Sequence, residues 1–285
     1  MEREKEKVLS EGLQIMAKNR EKSGMTPNLE ISTVVGCKMA CDYCPQKIHV
    51  NNYKGGRVMT IEDYATCMAK VPSYVDIHFA GMAEPWLNTE ATNMVLMAHE
   101  QGHRISVYTT LANVTVNDID LIKHIDFIHF CLHLPDRDGV MKFNVTQNYL
   151  DVLLYAMMMI PKRNFVCIGK IHPLVELITG FVPDSSNTLI SRAGNIKTLS
   201  ISPKKGALKC SAMSAKLDHN ILLPNGEVLL CCMDYGQQHV LGNLLEIGYE
   251  DLFNSNEYHR IKSGLLDENI GILCRTCEIA ENADN

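Results

Sequence analysis

Three thiols, Cys37, Cys41 and Cys44, fall within eight residues, directly behind an apolar, strand-like stretch. Their number decides the chemistry. A closed structural metal site takes four protein ligands, whereas three thiolates on a four-iron cluster leave one iron free to bind something else. The bland alternatives are a zinc site or three incidental core thiols. Five more cysteines gather late in the chain: Cys210, the pair Cys231-Cys232, and a Cys-x-x-Cys formed by Cys274 and Cys277. A hairpin and a tail each giving two thiols make either a zinc ribbon or a cluster site, and spacing alone does not separate the two.

The remaining composition narrows the setting. The N-terminus, from Met1 to Lys7, is charged and lacks the apolar core of a signal peptide, so the expected compartment is the cytoplasm. There, eleven cysteines serve ligation better than disulfides. The longest apolar stretch, from Leu153 to Ile160, is far short of the roughly 20 residues a bilayer requires, so no membrane span is expected. A net charge of -6 disfavours nucleic acid as the main partner.

The elements that must position these thiols follow from periodicity. A charged helix is expected over 3–20, then strands at 29–35, 74–80, 104–110, 126–132, 164–170 and 196–201. Helices near 60–70, 89–101, 115–124, 145–159 and 172–179 alternate with them. Six βα units predict an α/β fold, a parallel sheet curled into a partial (β/α)6 TIM-like barrel. After about residue 200 the pattern changes, and the segment from Leu222 to Leu230 reads as a β-hairpin turning at Asn225-Gly226. The expected organisation is an N-terminal helical extension (1–24), a barrel (25–200) and a small C-terminal unit of hairpin plus helix (201–285).

With Tyr43 before the third thiol, the triad resembles the cluster loop of radical S-adenosylmethionine (SAM) enzymes. The segment Phe79-Ala80-Gly81-Met82-Ala83-Glu84-Pro85 is similar to that family's Gly-Gly-Glu-Pro element, which orients the SAM amino group. The resemblance implies a 4Fe–4S cluster on Cys37, Cys41 and Cys44 with SAM at its open iron. Gly81, Met82, Ala83 and Glu84 would then contact SAM. His133 falls where relatives place a polar residue near the SAM carboxylate or ribose, and Thr110 where many have asparagine. Cleavage of SAM would give a 5′-deoxyadenosyl radical that removes a substrate hydrogen atom, with a one-electron donor such as flavodoxin or ferredoxin.

The late cysteines look like a Twitch, or shortened SPASM, appendage. That implies one auxiliary iron–sulfur cluster, expected to be 4Fe–4S, on Cys210, Cys231, Cys274 and Cys277. The further cysteines of a full SPASM pattern do not follow, so a second auxiliary cluster is disfavoured. Cys231 is the preferred ligand, and Cys232 should point the opposite way, as a buried small hydrophobe, a hydrogen-atom donor or a replacement ligand. Arg192 lies between the two cysteine groups in sequence and is the first candidate for substrate binding, against the alternative of a solvated surface arginine.

Strand alternation turns His129, Cys131 and His133 to one face, with His78 and Asp76 on the second strand and Ser106, Tyr108 and Thr110 on the third. The resulting polar lumen favours a small polar substrate. By family analogy the expected reaction is oxidation of an alcohol in a sugar-like or aminocyclitol substrate. The rivals are maturation or epimerisation of a peptide or carbohydrate and, in another class, an iron–sulfur electron carrier or redox sensor.

Overall fold

The computed structural model describes residues 26–182, 190–199 and 201–283. The expected helix over 3–20 lies outside them. Five parallel strands, β1 (Asn28–Ile31), β2 (Asp76–Phe79), β3 (Ile105–Thr109), β4 (His129–His133) and β5 (Asn164–Val166), stand side by side in that order. Between them run α1 (Gln46–Asn52), α2 (Ile61–Met68), α3 (Ala91–Glu100), α4 (Val116–Ile122) and α5 (Gln147–Met159), with α6 (Pro173–Thr179) after β5. Several helices start at signals written in the sequence. Thr60 caps α2 through the Asp63 N–H, and Thr115 and Asp118 form a reciprocal capping box on α4.

Alternation along the strands decides what faces where. Leu29, Ile31, Ile77, Phe79, Ile105, Val107, Phe130 and Leu132 are buried in the core between sheet and helices. Their neighbours Glu30, His78, Tyr108 and His133 lie on the opposite, concave face. The mostly parallel sheet with its outer helices is the expected partial barrel.

The sixth strand is not where the periodicity puts it. Residues 197–199 form a single 3-10 turn. They follow three successive residues in left-handed conformation, Arg192, Ala193 and Gly194, and Leu199 is exposed, so among the described residues of this segment no alternating apolar face extends the sheet beyond β5. The sixth parallel partner is β7 (His219–Leu222), which pairs with the other side of β1. It continues antiparallel through β8 (Glu227–Leu229) and β9 (Val240–Asn243). The hairpin turns at Asn225-Gly226 as expected. Gly226 has φ +82, and a Cβ there would meet Asn243 Oδ1 at 2.4 Å. Short strands β6 (Leu208–Cys210) and β10 (Ala280–Asn282) pair separately, and α7 (Asn256–Leu266) packs against β6 and β9.

No helix among the described residues is long and apolar enough to cross a membrane.

Candidate active site and auxiliary cysteine site

The loop after β1 carries the triad. It is held from both sides: Val35 N–H donates to the Arg57 carbonyl (2.8 Å), Asp42 N–H to Val140 (2.9 Å) and Lys142 N–H to Met39 (2.8 Å). Asp136, beyond the end of β4, accepts from Val140 and Met141 N–H at 2.9 and 2.8 Å and so shapes the segment lying on the loop. Cys37 and Cys41 pack with Met39, Ala112 and Met141. Cys44 packs instead with Val35, Met82 and Tyr235. All three thiols line a cavity of about 380 Å³.

The turn after β2 forms the opposite wall. Gly81 has φ +63, and a Cβ would lie 2.8 Å from Ser32 Cα, so only glycine lets the ends of β1 and β2 come this close. Gln46 Nε2 donates to the Met82 carbonyl, and Thr33 Oγ1 donates to Pro85 O at 2.7 Å. Glu84 is buried, and its carboxylate is filled. Oε1 accepts from Thr109 Oγ1 (2.6 Å) and Trp86 N–H (3.3 Å); Oε2 accepts from Thr110 N–H (2.6 Å) and Oγ1 (2.8 Å). Burial raises the Glu84 pKa and these donors oppose the rise. Its visible work is to tie the ends of β2 and β3 together, which places Thr110 and the Gly81–Glu84 backbone at the cavity.

His78, Tyr108, Thr110, His133 and Arg192 line the same cavity; His129 and Cys131 do not. The His78 and Tyr108 rings are 6.1 Å apart. Burial holds His78 down to about 4 and lowers His133, with the Arg192 charge adding to the latter, so both rings are neutral near pH 7. Asp76 is occupied elsewhere, accepting from Arg104 Nε and Nη2 at 2.8 and 2.7 Å.

Arg192 sits in the run of left-handed residues noted above, a conformation that costs of order 1–3 kcal/mol per non-glycine residue. The loop is pinned to the C-terminal tail and to the segment leaving β8: Thr276 Oγ1 donates to Ala193 O (3.0 Å), Ser191 N–H to Glu278, and Asn195 Nδ2 to Met233 O (3.0 Å). The backbone that places Arg192 at the lumen is thereby held in position.

Glu30 was hidden in the sequence. It is the lone acid in the buried run Leu29-Glu30-Ile31, and that interruption was the signal that could have found it. It lines the large cavity and also a second one of about 90 Å³. Burial pushes its pKa up to about 7, against the Gly81 backbone, the Cys232 thiol and the Arg192 charge.

Cys210, Cys231, Cys274 and Cys277 all line this second cavity, among Met213, Leu217, Leu230 and Leu273. Cys231 and Cys232 lie past the end of β8, in a turn, and both line the second cavity, although their packing differs. Cys231 packs in the main core together with Cys210 and Cys274, while Cys232 joins the cluster of Tyr235 and Cys44. Lys204 Nζ braces the tail by donating to Cys277 O at 2.7 Å and to Ala280 O.

The donor sets fit iron–sulfur clusters. Among the described residues no three His, Cys, Asp or Glu side chains are gathered tightly enough for one metal ion. The thiols line cavity walls instead, which suits a cluster whose several irons each take one thiolate. Burial pushes Cys41 up to about 11 and Cys274 up to about 12, so these thiols ionise at neutral pH only against a cation such as cluster iron.

Comparison with known proteins agrees with this geometry. The Radical SAM superfamily model matches residues 31–172, and the SPASM iron–sulfur cluster-binding domain matches residues 210–278. The chain belongs to the radical SAM superfamily and carries a SPASM-type domain; its cofactors are SAM, a 4Fe–4S cluster and an auxiliary iron–sulfur cluster. Among solved structures it is similar to BtrN in complex with AdoMet and 2-DOIA: TM-score 0.63 and 19% identity, covering 91% of this chain and 94% of that one. AdoMet-bound anSMEcpe has TM-score 0.53 and 14% identity over 88% and 86% of the two chains. SuiB of Streptococcus suis, bound to precursor peptide SuiA, has 0.54 and 13% over 86% and 69%. No curated protein matches the chain.

Proposed function

We propose that this radical SAM enzyme oxidises a secondary alcohol of a small, sugar-like or aminocyclitol substrate. The observation that carries the reading is the wall of the large cavity. Glu30, His78, Tyr108, His133 and Arg192 present polar groups of both charges beside the cysteine triad, in a chain that also carries a second cysteine-lined cavity.

Cys37, Cys41 and Cys44 would hold the 4Fe–4S cluster, and Gly81, Met82, Ala83, Glu84, Thr110 and His133 would line SAM. Cys210, Cys231, Cys274 and Cys277 would hold the auxiliary cluster. When bound, these groups supply a 5′-deoxyadenosyl radical and a one-electron acceptor. The carbinol C–H gives up a hydrogen atom, and the remaining carbon radical becomes a carbonyl by losing one proton from oxygen and one electron.

The chain's own task is to hold that hydroxyl. Glu30 accepts its hydrogen bond, the Arg192 guanidinium fixes a neighbouring oxygen, and neutral His78 and Tyr108 fill the remaining polar contacts. Cys232, beside Glu30, closes the lumen toward the second cavity. The likeness to BtrN over most of both chains supports a small polar substrate, and a one-electron donor such as flavodoxin or ferredoxin completes the cycle.

The test is turnover of an aminocyclitol deuterated at its carbinol carbon. The reading expects deuterium in 5′-deoxyadenosine together with a carbonyl product. Solvent deuterium entering an unoxidised carbon would replace oxidation with epimerisation, and turnover of a peptide alone would replace the substrate class.

A further inference from the structure

The segment that leaves β8 with Cys231 and Cys232 reaches back to the first cysteine site. Asp234 closes its turn by accepting from Gln238 and His239 N–H at 2.9 and 2.8 Å. Three consecutive residues then grip α1, the helix that follows the triad. The Tyr235 ring stands edge-on to His49 with centroids 6.2 Å apart. The Gly236 carbonyl accepts from Asn52 Nδ2 at 2.9 Å, and Gln237 Nε2 donates to His49 O at 2.8 Å. At the inner end of this strap, the Tyr235 hydroxyl and Cys44 Sγ lie 3.8 Å apart in hydrogen-bonding geometry.

We propose that Tyr235 is a positioning residue for the redox chemistry of the triad: its hydroxyl donates to the Cys44 thiolate and raises the potential at which the cluster held there accepts an electron. The direction follows from electrostatics. Reduction adds negative charge to the cluster and its thiolates, so a fixed donor stabilises the reduced form more than the oxidised one. Tyr235 is 6% exposed, and a hydrogen bond to a charged acceptor is strongest where water does not compete.

The strap gives this contact a wider meaning. Cys231 borders the auxiliary cavity, and four residues later Tyr235 touches Cys44, so the geometry of one cysteine site is built into the electrostatics of the other.

The experiment is a potentiometric titration of reconstituted full-length protein, wild type against Tyr235→Phe, following the cluster signal that SAM perturbs. Loss of the donor is expected to disfavour reduction about tenfold, which for a one-electron couple is 59 mV to more negative potential, at unchanged iron and sulfide content. Tyr53→Phe is the control. Tyr53 packs in the same apolar cluster, but its hydroxyl serves the Gly56 carbonyl at 2.7 Å, and its removal leaves the potential in place. An unchanged potential in Tyr235→Phe, or equal shifts in the two variants, overturns the proposal. Should Tyr235→Phe lose iron, 3-fluorotyrosine at position 235 decides. As a stronger donor of nearly the same shape it raises the potential if the proposal holds, and an unmoved potential refutes it.

Discussion

The two cysteine sites are built on opposite plans. The first takes three thiols from one short loop and sets them at the edge of a cavity of about 380 Å³ whose far wall is polar. The second takes five thiols, Cys232 among them, from three segments distant in sequence and encloses them, largely among apolar side chains, around about 90 Å³. On the proposed function, the difference keeps reactivity and electron storage apart within one chain. On the proposed assignment, the first site, short of one protein ligand, needs room for a second molecule, and the second, with four ligands, needs none.

The largest effect should come from breaking the plan of the first site. Cys41→Ala is expected to reduce SAM cleavage to background, whereas Cys274→Ala should remove only the auxiliary iron and leave reductive cleavage running. Counting 5′-deoxyadenosine under anaerobic reduction checks both. Retained cleavage in Cys41→Ala would sink the ligand assignment.

Arg192 tests whether the polar wall binds substrate. Arg192→Ala should lower kcat/KM by roughly 10- to 100-fold, the range of one lost charged contact, while SAM cleavage without substrate is unchanged. Arg192→Lys should recover only part, because an ammonium lacks the guanidinium's planar fork. Loss of substrate-free cleavage would instead make Arg192 part of the cofactor site.

Gly81 tests the close approach of β1 and β2. Gly81→Ala puts a Cβ against Ser32 in a left-handed backbone, at a cost of about 2 kcal/mol, visible as a lowered Tm and weaker SAM binding. Wild-type values for both would mean that the turn relaxes freely.

The smallest expected effect is one of pH. His49, fully buried in the hold of the strap on α1, has its pKa lowered by burial to about 4. Between there and the ordinary value near 6.5 the unfolded chain binds more protons than the folded one, so stability falls as pH falls through this window. From pH 6.5 to 5.5 the loss from this group is about 1 kcal/mol. His49→Asn should flatten that part of the stability profile, and an unchanged slope would contradict it.

Much of this was legible in the sequence. Five strands and their helices follow from alternation and from caps such as Thr115-x-x-Asp118, and the triad, the Gly81–Glu84 turn and the four late thiols all lie at cavity walls. What was hidden has physical causes. The second partner of β1 is a strand whose paired residues lie 191 positions later, and nothing local in 196–201 reveals that β7 takes the place of a sixth βα strand. Glu30 sits inside an apolar run and reads as part of it. Tyr235 meets Cys44 across 191 residues, a pairing that only the folded chain discloses.

The central claim, one open cluster site and one closed site, is tested most directly by EPR of two reduced proteins with and without SAM. Cys274→Ala, which keeps the triad, should show a cluster signal that SAM perturbs. Cys37→Ala, which keeps the auxiliary thiols, should show a signal indifferent to SAM. A SAM-perturbed signal in Cys37→Ala, or none in Cys274→Ala, would contradict the account.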